Sequence, residues 1–414
     1  MNILFIAPGF PPYMFSENIV NGKLVLAFKK EGWHVDVLSK KDEGASYSTS
    51  WIKPFESLKE VTHELNYLGG SKLSRFGDLL YSTLVLNGYP LPGIRWGKRA
   101  YFKALELLKD NSYDVIITRS PNDISHLVGF KLSKKTKTPW IANWNDPAAT
   151  IWPEPYTHQF SILNKLILNR FIDKALEKAS INTFPSETLK NHFATHYPVL
   201  DKKQSAIIPH IALIEEEYDT LPRTTSNQKV IRMCHAGNLS SERDPNLFFK
   251  ALKKIKDECS MSIHLDIMGV INDYTESLIK KYDLQNEIKY IGGFPFIDAL
   301  KKMSNYDVLV LIEAEMDFGI FFPSKLVDYN QVDVPILAIS PKRGYTNSLF
   351  SKFKAGVAVN NNDEQDIYNG LKKLIELKSK GKLEEEFDLG ALQKFYSTKE
   401  IINQYKKIFK GLTS

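Results

Sequence analysis

Only two cysteines occur in 414 residues, Cys234 and Cys259, and neither stands in a His/Cys cluster of metal-ligand spacing. That excludes a disulfide framework and points to a reducing compartment. No apolar run approaches the roughly 20 residues needed to span a bilayer. The opening MNILFIAPGF has no basic stretch and meets Pro8-Gly9 too early for a secretory signal, so it reads as a first strand and the protein as cytoplasmic. Charge of one sign is also in short supply. A net charge of +6 is too weak to argue for nucleic acid, though it suits a small anionic substrate or an anionic membrane surface. The chain lacks G-x-G-x-x-G, G-x-x-x-x-G-K-[ST], Asp-x-Asp and G-x-S-x-G. A nicotinamide-type dinucleotide site, a P-loop and a nucleophile elbow are therefore not indicated. A diphosphate would be held by Arg, Lys and helix N-termini, with no metal and no cofactor.

What is present is a long α/β alternation. The length implies two or three domains. Asn2 to Ala7 is a short unbroken apolar run, as expected of a strand buried on both faces. A helix with Val20, Leu24, Ala27 and Phe28 on one face follows, and then a strand from Val35 to Leu38. Lys40 to Asp110 is less regular and is broken by Pro90-Leu91-Pro92-Gly93. Strands resume at Asp114–Thr118, Trp140–Trp144, Ile181–Phe184 and Ala206–Pro209. A polar stretch from Glu215 to Asn227 has linker composition. A second series starts at Val230, with strands at His264–Met268, Ile288–Ile291, Asp307–Ile312, Pro335–Ala338 and Gly356–Val359. The expectation is two facing doubly wound Rossmann-like domains with a cleft between them. They run from 1 to 210 and from 211 to 395, and a final helix, 396–414, docks back on the first.

In the second half, FGIFFPSKLVDY (318–329) follows a strand and opens a helix at Pro323-Ser324-Lys325. A lysine in the first helical turn sits against the dipole, which suggests a bound phosphate and, equally, a solvated side chain. Asp328, one turn on, can accept from sugar hydroxyls. Gly237 and Asn238 follow a strand directly, and Arg243 opens the next helix, where a surface arginine is the plainer reading. Gly319 and the loop carrying Phe294 are further strand-end positions, the latter equally a simple Gly-Gly turn. In the first half, Ser16, Glu17 and Asn18 occupy the first strand-to-helix loop, where Ser16 or Asn18 would also cap the helix. Asn145-Asp146-Pro147 offers a strand-end carboxylate, or an Asx turn. His126 reads as structural. All six tryptophans fall in the first 152 residues. They suggest a sugar-binding acceptor side, with packing accounting for most of them. Arg95, Trp96, Lys98, Arg99, Tyr101 and Lys103 form a basic aromatic piece that could touch a membrane surface or be an ordinary helix.

In this order, MNILFIAPGFPPY, YDVIITRSPNDISHLVG, TPWIANWNDP, FPSETLK, HAGNLSSERDPNLFFKAL, YIGGFP and FPSKLVDY resemble the GT-B glycosyltransferases, above all the family 4 (retaining) enzymes. The resemblance runs nearly end to end, and FPSKLVDY is its most specific part. It implies that Arg243 and Lys325 bind the donor diphosphate and Asp328 the ribose. Gly237, Asn238, Phe294, Gly319 and Ser324 would complete the donor side. Asp146 and Glu17 would stand at the chemistry, with Ser16, Asn18 and Asn145 on the acceptor loop. This chain departs from the family at Ile320, where a Glu is usual, and at Asp328, again usually Glu. Glu313, Glu315, Asp317 or amides near Gly319 would substitute for the former.

The function expected is metal-independent transfer of a sugar from a nucleotide-diphosphate sugar to a hydroxyl acceptor, a glycan or lipid-linked glycan precursor of polysaccharide biosynthesis. Peripheral contact with the inner face of the membrane fits the lipid-linked acceptor. Domain closure would exclude water. The rivals are a nucleotide-sugar 2-epimerase of the same fold, a non-catalytic nucleotide-sugar binding protein and a membrane-docked scaffold. Nothing in the sequence fixes the oligomeric state.

Overall fold

The computed structural model describes residues 1–41, 50–66, 72–86, 92–121, 123–214, 217, 229–259 and 261–413. Most of the linker-like stretch 215–227, and Pro90-Leu91, lie outside them. The chain divides into two compact units. Unit 1 is Met1–Ile211 with Thr398–Ser414, and unit 2 is Ala212–Ser397.

Unit 1 carries seven strands: β1 (Asn2–Ile6), β2 (His34–Lys41), β3 (Thr62–Asn66), β4 (Val115–Arg119), β5 (Trp140–Asn143), β6 (Ile181–Phe184) and β7 (Ser205–Ile207). They form one parallel sheet in the order β3-β2-β1-β4-β5-β6-β7. Every residue of β4, β5 and β6 is buried, because helices cover both faces of a parallel sheet. The described residues of the region 40–110 are more regular than the sequence suggests. They supply β3 and two helices, Lys72–Leu86 and Ile94–Asp110. The tryptophans are mainly core. Trp96, Trp140 and Trp144 are fully buried, each with its indole N–H bonded inside the unit, to Ser39 O, Thr118 Oγ1 and Asn182 Oδ1. Trp33 packs on Phe28 and on Phe409 of the last helix, Thr398–Thr413. Their large apolar area is therefore spent on packing, and half-exposed Trp152 packs against Tyr156 and His158. His126 is also core, bonded to Thr118 and stacked on Trp144, and burial lowers its pKa to about 3, so it stays neutral.

Unit 2 holds β8 (Val230–Ala236), β9 (Ser262–Met268), β10 (Ile288–Tyr290), β11 (Val308–Ile312), β12 (Ile336–Ser340) and β13 (Gly356–Asn360). The sheet is again all parallel, in the order β10-β9-β8-β11-β12-β13. Both sheets are doubly wound, the class expected from the alternation of elements. In each, the strand order reverses once, between β1 and β4 in unit 1 and between β8 and β11 in unit 2. At such a reversal the connections on either side diverge to opposite faces and leave a crevice at the carboxyl ends of the strands.

Candidate active site

In unit 2 the crevice lies between the ends of β8 and β11, and the chain places Gly237 and Lys325 there. Gly237 has φ +135°, and a Cβ on it would stand 2.0 Å from Lys325 Nζ. The ammonium therefore lies directly over the glycine backbone, in space that only glycine leaves open. The Gly237 N–H donates to Met268 O, and Asn238 Oδ1 accepts from Val270 N, which ties this loop to the end of β9. Burial pushes the pKa of Lys325 down to about 7, and the neighbouring charge of Arg243 adds to the effect while Asp328 opposes it. Arg243, Lys325 and Asp328 thus share one electrostatic neighbourhood.

Several details differ from the sequence reading. The helix begins at Lys325, not Pro323, because the first turn is closed by Leu326 N–H on Pro323 O and Val327 N–H on Ser324 O. Ser324 is its N-cap residue but makes no side-chain cap. The helix has seven residues, so side-chain charge, more than a helix dipole, makes this place positive. Gly319 is buried, and its N–H is already spent on Arg343 O in a short parallel bridge to Gly344, so it is not available to a ligand. Ile320 is 4% exposed and points into the unit. Phe294 stands on the loop after β10, with Lys302 over its ring at 4.9 Å.

One group here went unremarked in the sequence. His235, the penultimate residue of β8, is 1% exposed. Its Nδ1 meets Val310 O while Nε2 has no partner, and burial holds its pKa well below the usual range, so it adds no charge beside Lys325. Glu313, just past β11, is pushed up to about pKa 7 by burial, against the pull of Thr346 and Arg243. Of the three acidic substitutes considered for Ile320, Glu313 is the one seen to feel Arg243. Glu315 is exposed and accepts from Asn362, and Asp317 is exposed.

The crevice of unit 1 gathers Glu17, Arg119 and Asn145, from the loops and strand ends of β1, β4 and β5. Asn145 Nδ2 donates to Glu17 Oε1 at 2.5 Å, and Arg119 Nη2 lies 3.7 Å from the same oxygen. Asn145 is itself held by its N–H on Ser120 Oγ. Arg119 is 4% exposed, with Nε unpartnered, and it faces the hydroxyl of Tyr405 from the last helix without a regular hydrogen bond. An arginine closing a buried strand was a legible signal for this residue. Tyr405 had none. Ser16 is exposed at the first position of its helix, Ser16–Lys30, and Asn18 is 4% exposed and donates to Phe10 O. Neither caps that helix, whose N-cap is Phe15. Asn18 instead fixes the shape of the loop.

Burial pushes the pKa of Glu17 up to about 8, with the Asp146 charge adding and Arg119 and Asn145 opposing. Burial, with the Asp146 charge adding to it, leaves Glu17 holding a proton near neutrality. The folded chain then keeps a proton that the unfolded chain releases above pH 4.5, and stability falls as pH rises from there to about 8. Glu17→Gln is expected to flatten this fall. Calorimetric melting across that interval should show a shallower Tm decline than wild type, and an identical slope would refute a buried neutral acid.

The two doubly wound units have the GT-B fold of glycosyltransferases, and the second of them carries a glycosyltransferase domain. Within it, residues 219–391 match the family described as glycosyl transferases group 1. A sucrose-phosphate synthase from Thermosynechococcus elongatus superposes with a TM-score of 0.69 at 15% identity, covering 100% of this chain and 99% of that one. Anabaena HepE in complex with UDP and glucose gives 0.68 at 16%, covering 99% and 100%. The lipopolysaccharide outer core galactosyltransferase WaaB gives 0.57 at 15%, covering 98% and 99%. At such identities these likenesses speak for the fold. No curated protein sequence matches the chain closely enough to count as a relative.

Proposed function

We propose that the chain moves a sugar from a nucleoside-diphosphate sugar onto a hydroxyl of a glycan or lipid-linked glycan precursor, with retention and without a metal. The observation that carries this reading is Lys325 Nζ lodged over Gly237, beside Arg243, where the strand order of unit 2 reverses. Two cations at that place suit a diphosphate and would stabilise it as it leaves. Asp328 takes the ribose hydroxyls, and Gly237, Asn238, Ser324 and Phe294 flank the nucleotide. Glu313 takes the sugar-facing part that Ile320 cannot. Asp146 and Glu17, positioned by Asn145 and Arg119, meet the acceptor hydroxyl. The reaction belongs to the cytoplasm, at the inner face of the membrane when the acceptor is lipid-linked.

HepE was seen with UDP and glucose, so UDP is the first nucleotide to try. A thermal-shift screen of nucleoside diphosphates and their sugars should raise Tm with at least one of them. No shift with any would overturn the donor site. Activity measured with the donor so found should survive a chelator, and its loss would remove the metal-free part of the reading.

A further inference from the structure

The helix Lys72–Leu86 is turned the wrong way round for a protein interior. Three of its polar residues face inward: Ser82 is fully buried, the Tyr81 hydroxyl accepts from Lys131 Nζ at 2.6 Å, and Asp78 is paired with Arg95 at 2.6 Å. Among the described side chains, its large apolar residues face out. Leu73 is 84% exposed, Phe76 64% and Leu84 79%, with Leu80 also exposed. They recur at intervals of three and four and so form one stripe. The helix touches the helix Ile162–Lys178, whose first turns expose Leu163 and Leu166. Both belong to unit 1.

A helix buries its polar side and exposes its leucines only at a cost in water, about 25 cal/mol per Å² of apolar surface left uncovered. The charges around the stripe indicate what covers it. In sequence the helix itself holds Lys72 and Arg75 against one acidic residue, Asp78, whose charge is already paired with Arg95. Exposed Lys165 and Arg170 lie beside Leu166 and one turn beyond it. Basic residues around an apolar helix face match an anionic bilayer surface, where leucines enter the acyl boundary and lysines meet headgroups. A second copy of the chain would set one basic rim against another, which like-charge repulsion opposes. Among the described residues no helix is long and apolar enough to cross a membrane, so the contact is one of lying on the surface.

We propose that the stripe Leu73–Phe76–Leu80–Leu84, with Leu163 and Leu166, docks this protein on anionic membranes. The inference goes beyond the transfer reaction and does not depend on the donor site. It also moves the membrane contact away from the 95–103 segment, where Trp96 is buried and Arg95 is paired with Asp78.

Vesicle flotation tests it, using phosphatidylcholine alone and phosphatidylcholine mixed with phosphatidylglycerol. The wild type should float with the anionic vesicles only, and less so as salt rises. Phe76→Ser/Leu80→Ser/Leu84→Ser should lower the partition at least about tenfold, and Lys165→Glu/Arg170→Glu should lower it as well. Because these side chains face water, Tm and any nucleotide-induced shift should stay at wild-type values, which separates lost docking from misfolding. If the wild type fails to float, or the triple variant floats equally well, the proposal is overturned. So it is if light scattering finds a wild-type dimer that the triple variant converts to monomer. Should no nucleotide shift the wild type while flotation behaves as stated, the donor assignment fails and the docking face stands.

Discussion

Lys325→Ala is expected to weaken nucleoside-diphosphate binding by about 1.5–3 kcal/mol, or about 10- to 150-fold, and Arg243→Ala by a similar amount. The reason is local. Lys325 is crowded by burial and by Arg243, which together push its pKa to about 7 from an ordinary 10.5. A bound diphosphate would restore the charged form, so binding above about pH 7 should take up a proton. Affinity should then fall as pH rises from there, by at most about tenfold per unit, and Lys325→Ala should lose this dependence. The free protein runs the opposite way. Between the folded and unfolded values the unfolded chain holds the extra proton, so this lysine makes folding more favourable as pH rises across that window. Titration calorimetry in buffers of different ionisation enthalpy reads both the affinity and the proton uptake. Wild-type affinity in both alanine variants would remove the diphosphate from this site.

Gly344→Ala should be the most damaging small substitution near the site, costing about 2–4 kcal/mol. Gly344 has φ +143°, and a Cβ on it would stand 2.3 Å from Gly319 O and 2.6 Å from the Gly319 Cα and N. Those atoms are backbone, held by Gly319 N–H on Arg343 O and Tyr345 N–H on Gly319 O, both at 2.8 Å. They cannot move aside without opening the bridge. Once open, the bridge releases the run that leads to Lys325, so nucleotide binding should weaken along with stability. Gly293 is the control, since a Cβ there meets nothing within 4 Å. Urea titration of both variants checks the contrast. Equal midpoints for Gly344→Ala and Gly293→Ala would mean that the Gly319–Gly344 bridge is not what holds the loop.

The order of strands and helices was legible along the chain because it rests on short-range periodicity. Unbroken apolar runs such as VLVLI become fully buried parallel strands. The stretch FPSKLVDY marked Lys325 by its place at a helix start, and the fold sets that lysine on Gly237. Between Lys40 and Asp110 the same method failed, because in Lys72–Leu86 the helical period is present but says nothing about which face turns inward.

What the sequence alone determined is therefore the alternation, the parallel class and the residues standing at strand ends. The tertiary structure decided which ends meet. Sheet order sets β1, β4 and β5 side by side, so that Glu17, Arg119 and Asn145 share one oxygen, and it sets β8 beside β11, so that Lys325 comes to rest on Gly237. It also brought Tyr405 to Arg119 and turned the leucines of Lys72–Leu86 outward. The physical reason is that strand adjacency and helix facing are settled by burial summed over a whole unit. No local spacing encodes that sum.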